Sequence, residues 1–153
     1  MPNQPRNRPL GQFIKALRQE GINCILIGMM AAVRQGATAT TWDYDFWVRL
    51  PERQYVRLLT IVQHLNGKIL ARTLYELPDG MQVNAIFKPD GLASFDTEYR
   101  RCKLCRIEGQ WVRMLPLDRV IASKKASGRD KDVATLPMLE KLLRCRRRLK
   151  RQR

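Results

Sequence analysis

The stretch ILIGMMAAVRQGATATTWDYDFWV, residues 25–48, restricts this chain more than any other. Its first apolar run closes on Gly28, and Asp43 and Asp45 interrupt the second. Side chains alternate along a strand, so Asp43 and Asp45 are expected on one face and Tyr44 and Phe46 on the other. Two carboxylates that close repel and raise each other's pKa unless a cation or a polar network offsets them, and a divalent metal is the natural partner. The pattern points to chemistry rather than to architecture.

The flanking sequence predicts the frame that would hold these acids. Leu10, Phe13, Ile14 and Leu17 recur at helical spacing, and Gly21 ends that helix. A short β-branched strand over 23–27 stops at Gly28, and a helix over 29–36 follows. ATATT then leads into the acid-bearing strand, 42–50. Pro51 opens a second amphipathic helix that stops at Gly67. Strands over 68–77 and 81–87 flank the turn Pro78, Asp79, Gly80, and a looser region, 88–96, leads to a hairpin of 102–107 with 110–115. A helix from Pro116 ends at Gly128, the polar segment RDKD follows, and a last helix comes after Pro137. This order predicts an α+β domain: a mixed β-sheet with helices packed on it and a helical C-terminus.

With 153 residues, one domain over 10–143 is expected, between a basic tail at 1–9 and a basic C-terminal tail at 144–153. No apolar run approaches the roughly 18 residues that span a bilayer, and no signal-peptide core precedes residue 10, so a cytoplasmic address and no membrane partner are expected. Cys102 and Cys105 form a CxxC, but Cys24 and Cys145 are isolated and His64 is the only histidine, which favours reduced cysteines on opposite faces of a strand over structural zinc. The net charge of +15 attracts polyanions. Seven of the last ten residues are basic, among them Arg144, Arg146, Arg147, Arg148, Lys150 and Arg151, and Arg6 and Arg8 add to the other end. Those C-terminal cations are candidates for nucleic-acid contact, with a solvated helix end as the alternative.

Gly28, Met29, Ala31, Gly36, Thr40, Thr41, Asp43 and Asp45 together resemble the GGxA, loop, TxDxD pattern of the nucleotidyltransferase superfamily, which has the DNA polymerase β-like fold. QVNAIF at 82–87 stands where that family carries a third acid, and LDRVIASKKASGRDKD at 117–132 resembles its KxxxxRxKD segment. Order and spacing match from about residue 10 to residue 143, most like the small bacterial stand-alone members related to AbiEii-type toxin–antitoxin systems. The resemblance implies a nucleotidyltransferase-like sheet and a Mg²⁺-dependent transfer of NMP from an NTP to a hydroxyl. RNA, tRNA included, is the favoured acceptor and protein the other. Asp43 and Asp45 would be the catalytic metal ligands, with Asn84 as a third, weaker one. Gly28, Met29, Lys124, Arg129 and Lys131 would contact the nucleotide, and Asp132 would orient one of those cations. Elementary chemistry supports the reading: a side-chain-free turn lets backbone N–H groups approach phosphate, and Mg²⁺ prefers oxygen ligands.

The chain departs from that pattern at two positions. Met29 has no hydroxyl to reach a phosphate, and Asn84 offers one neutral oxygen where a carboxylate would bind metal or accept a proton. These departures motivate a second expectation, a catalytically weakened nucleotidyltransferase-like module that binds nucleic acid or a partner protein. A third has the basic C-terminus dock an acidic protein such as an antitoxin.

Overall fold

A computed structural model describes residues 8–39 and 43–152. Arg6, Thr40, Thr41 and Trp42 lie outside them.

The described elements are α1 (Pro9–Gln19), β1 (Cys24–Ile27), α2 (Gly28–Val33), β2 (Tyr44–Val48), α3 (Val56–His64), β3 (Lys68–Ala71), β4 (Leu74–Glu76), β5 (Gln82–Ile86), α4 (Phe95–Arg101), β6 (Lys103–Ile107), β7 (Gln110–Met114), α5 (Leu117–Ser127) and α6 (Asp130–Arg151). One seven-stranded sheet has the order β3-β4-β5-β2-β1-β7-β6. It is mixed: β1 is antiparallel to β2 and parallel to β7, β2 is parallel to β5, and β4–β5 and the hairpins β3–β4 and β6–β7 are antiparallel. The α+β architecture expected from the sequence is the architecture found.

Apolar periodicity explains the assembly. Leu10, Phe13, Ile14 and Leu17 form the buried face of α1, which lies against α3 and β7. The central strands are buried on both faces: Ile25, Leu26 and Ile27 of β1 and Phe46, Trp47 and Val48 of β2 all lie in the core. Removing a side chain of that size from water contributes roughly 1.5–3 kcal/mol, so this centre fixes the register of everything attached to it.

Several boundaries differ from the sequence-based expectations, each for a local reason. The run 68–77 is itself a hairpin, β3 then β4, with a register irregularity between Ile69 and Ala71. The helix from Pro51 opens as a 3-10 turn, Glu52–Gln54, before α3 begins. Within the looser region lies the start of α4, capped by the Ser94 hydroxyl accepting from Thr97 N–H, with Asp96 and Glu98 in its first turn and Arg100 and Arg101 in its last. Cys102 caps that helix instead of sharing a strand with Cys105.

The last helix does not wait for Pro137: α6 begins at Asp130 and carries Pro137 inside it. The proline leaves the Val133 carbonyl without its helical donor. Val133 is exposed, so that turn of the helix lies at the surface rather than in the core. Residues 144–151, expected as a tail, are the last turns of this same helix. Gly128 closes α5 at φ 64°, a left-handed conformation that favours glycine, and lets the chain turn directly into α6.

Candidate active site

Register places the acids. Ile27 pairs with Asp45 across β1–β2, and Asp45 pairs with Asn84 across β2–β5, so one row crosses three neighbouring strands. Tyr44 and Phe46 are buried in the core, while Asp43, just ahead of β2, and Asp45 line a cavity of about 810 Å³. Asn84 lines it too, and its amide Nδ2 donates to Asp45 Oδ1 at 3.1 Å.

Gly28 is required at the turn above this row. Its φ is 70°, and a Cβ placed there would meet Asp45 Oδ2 at 2.6 Å. The missing side chain therefore makes room for the carboxylate as well as opening the backbone. Gly28 and Met29 both line the cavity, and Met29 packs partly against the core. The helix they begin is only six residues long, which limits the dipole available to an anion.

Opposite the acids, the junction of α5 and α6 supplies cations. Lys124, Arg129 and Lys131 line the same cavity. Asp132 holds two of them, accepting from Lys124 Nζ at 3.0 Å and from Arg129 Nε at 2.9 Å, and also from Ser127 Oγ at 2.6 Å. Both members of the Lys124–Asp132 pair are nearly buried, with side chains 11% and 7% exposed.

The two walls have opposite electrostatics. Burial pushes the Asp45 carboxyl above its ordinary value; the Asn84 hydrogen bond and the charges of Lys131 and Lys124 pull it back, and the charge of Asp43 pushes it further up. At Asp132 burial also pushes upward, but the bonds from Ser127, Lys124 and Arg129 prevail and bring it to about 2. Asp45 is a charge the protein only partly compensates, whereas Asp132 is fully satisfied.

The donor set fits a hard divalent cation, since Asp43, Asp45 and the Asn84 side chain are oxygen ligands and Asp45 sits where positive charge would relieve it. Among the described residues no three His, Cys, Asp or Glu side chains come together as a ready ligand set. Such an ion would complete its shell with water and phosphate oxygens, as Mg²⁺ commonly does.

All the cavity residues expected from the sequence are thus brought together, and Asp132 orients two cations where one was expected. Ser127, Thr135, Lys88 and Asp90 also line the cavity and carried no sequence signal of their own. The C-terminal group is elsewhere: Arg144, Arg146, Arg147, Arg148, Lys150 and Arg151 are exposed on α6, and none lines the cavity. At 1.5 Å per residue, Arg147 is roughly 22 Å along the helix from Asp132. Cys24 and Cys102 have thiols pushed up to about 12 by burial, which leaves them protonated and unreactive at neutral pH. Among the described residues no helix is long and apolar enough to cross a membrane.

The fold is shared with solved structures. ANT(2'')-Ia, an antibiotic-resistance factor studied in solution, superposes with a TM-score of 0.55 and 14% identity over 94% of this chain and 90% of its own. The lincosamide antibiotic adenylyltransferase LnuA, in its lincomycin-bound crystal structure, gives 0.55 and 9% over 92% and 99%. An antigenic nucleotidyltransferase-like protein from Paracoccidioides brasiliensis gives 0.52 and 14% over 86% and 74%. No family model and no curated protein matches the chain. The fold of this protein is the nucleotidyltransferase fold.

Proposed function

We propose that this protein is a Mg²⁺-dependent nucleotidyltransferase that moves an NMP from an NTP to a hydroxyl, with RNA the favoured acceptor. One observation carries the reading: Asp43 and Asp45 line a single cavity of about 810 Å³ together with Lys124, Arg129 and Lys131, and the charges of Lys131 and Lys124 act on Asp45. Phosphoryl-type transfer is mostly positioning and charge stabilisation, and an anionic wall opposite a cationic one supplies both.

Asp43 and Asp45 would hold the ion, which would neutralise phosphate charge as pyrophosphate leaves. Lys124 and Arg129, fixed by Asp132, present positive charge to the triphosphate without reorganising. Exposed Lys131, whose charge already reaches Asp45, is free to follow the phosphates. Asn84 does not accept a proton, so the acceptor hydroxyl must release its own to another group.

ANT(2'')-Ia has been crystallised with adenylyl-2''-tobramycin, and LnuA with lincomycin. For this chain a net charge of +15 disfavours acceptors rich in ammonium groups, as aminoglycosides are, and favours polyanions. The kinship to AbiEii-type proteins, the toxin–antitoxin setting and the cytoplasmic address belong to this proposal, as does the catalytic role of Asp43 and Asp45. The Asn84 bond to Asp45 supports the second reading, a weakened module, because an amide stands where a third acid would bind the ion.

Incubation with each labelled NTP, Mg²⁺ and, in turn, cellular RNA, cellular protein, tobramycin or lincomycin tests the proposal. Labelled RNA that disappears with chelator or with Asp43→Ala is the expected result. Label on an antibiotic instead would overturn the acceptor, and no label on any acceptor would favour the weakened module.

A further inference from the structure

The edge of the sheet farthest from β3 carries a second feature. Leu104 and Arg106 of β6 stand directly opposite Arg113 and Trp111 of β7, so all four share one face. Trp111 is 56% exposed and Leu104 61%, on the outermost hairpin of the sheet. The Arg106 guanidinium lies over the Trp111 ring at 5.7 Å, and that of Arg113 over the Tyr99 ring at 4.4 Å. Beside them a groove of about 340 Å³ is lined by Arg18, Tyr99, Leu104, Trp111 and Arg113 and by no acidic residue. It shares no lining residue with the Asp43 and Asp45 cavity.

The charges here are not cancelled. Arg18 donates to the neutral Gln110 Oε1 at 2.8 Å and to the Trp111 carbonyl at 2.6 Å, and Arg113 donates to the Tyr99 carbonyl. The acids of α4 and of the β6–β7 turn are engaged: Asp96 with Arg49, Glu98 with Arg119 and the Ala93 N–H, Glu108 with the Gly11 N–H. An exposed indole, a stacked guanidinium and two further arginines make a surface on which bases stack while phosphates are neutralised.

We propose that this aromatic and arginine platform binds single-stranded nucleic acid, with a base stacked on Trp111 and the backbone running past Arg18, Arg106 and Arg113. Charge complementarity selects this occupant over an apolar protein segment, since every charged group on the platform is positive. A duplex keeps its bases stacked on one another and offers the platform only phosphate. The proposal does not depend on the transfer reaction, because the platform lies outside the transfer cavity.

Fluorescence anisotropy of the full chain with a labelled ten-nucleotide RNA, the same sequence as DNA, and the corresponding duplex, without NTP or Mg²⁺, tests it. Single strands should bind with Trp111→Ala weakening them about tenfold and Trp111→Phe retaining affinity within about threefold. Trp111 is largely exposed, so both variants should fold, and circular dichroism checks this. Because binding is read without NTP or Mg²⁺, failure of transfer alone would leave the platform standing. Equal affinity of wild type and Trp111→Ala, or a duplex bound as tightly as the single strand, overturns the proposal. So does concentration-dependent dimerisation lost in Trp111→Ala with no oligonucleotide bound, which would assign the face to a second copy of the chain.

Discussion

The two walls of the large cavity are built by different means. Asp43, Asp45 and Asn84 are placed by backbone register across β1, β2 and β5, and their side chains leave Asp45 only partly compensated. Lys124 and Arg129 are placed by side-chain bonds to Asp132, which is satisfied from three directions. A wall held by register can keep an uncompensated charge, because the sheet resists its relief. A wall held by side-chain bonds draws its own stability from the same charges it presents. The first wall is where activity and stability should oppose one another, and the second where they should fall together.

The largest expected effect tests the first wall. Asp43→Ala and Asp45→Ala should each lower the transfer rate at least about a hundredfold, the scale for losing a principal charge-stabilising group. Asp45→Asn should lose activity equally yet melt at a higher temperature than wild type, since burial and the charge of Asp43 both disfavour the carboxylate. A lower melting temperature for that variant, in calorimetry, breaks the contrast.

On the second wall, Asp132→Ala should cost about 2 kcal/mol in urea unfolding, because it removes a nearly buried carboxylate that the bonds from Ser127, Lys124 and Arg129 hold down to about 2, and transfer should fall with it. The sign follows from the same depression: folding gains the full contribution above the ordinary carboxyl value of 3.8 and loses it as pH falls toward about 2. An Asp132→Ala protein with unchanged acid sensitivity between those limits would separate the bonds from stability.

Gly28→Ala tests the meeting of turn and acid. A Cβ at φ 70° and 2.6 Å from Asp45 Oδ2 should cost about 1–2 kcal/mol, read by chemical denaturation. Much of that cost should disappear in the Asp45→Ala background, because the clashing atom is gone. The smallest change is Asn84→Asp, which adds a third carboxylate and removes the amide donor to Asp45. Titration calorimetry should show Mg²⁺ binding about tenfold tighter, with the metal-free protein less stable by up to about 1 kcal/mol.

Much of this was legible along the chain. The strand period placed Asp43 and Asp45 on the cavity side and Tyr44 and Phe46 in the core, because alternation in a strand is a local property. Helical spacing gave the buried face of α1 for the same reason. The signs of α4, Ser94 followed by Asp96, Glu98 and two arginines, were present but short against the Gly and Pro around them. Pro137 misled because a proline inside a helix costs less where the carbonyl it leaves unbonded lies on an exposed face, and the exposure of Val133 is a tertiary fact.

By itself, then, the sequence determined most of the elements, the buried faces of α1 and of the acid-bearing strand, the pairing of acids and the excess of positive charge, all of which follow from near neighbours and composition. Only the tertiary structure decided that the Asn84 amide donates to Asp45 and that Asp132 binds both Lys124 and Arg129. It also decided that Trp111 stands exposed under an arginine at the sheet edge. Each of these depends on which strand pairs with which and on how two helices meet, and such contacts between distant segments leave no local periodicity to read.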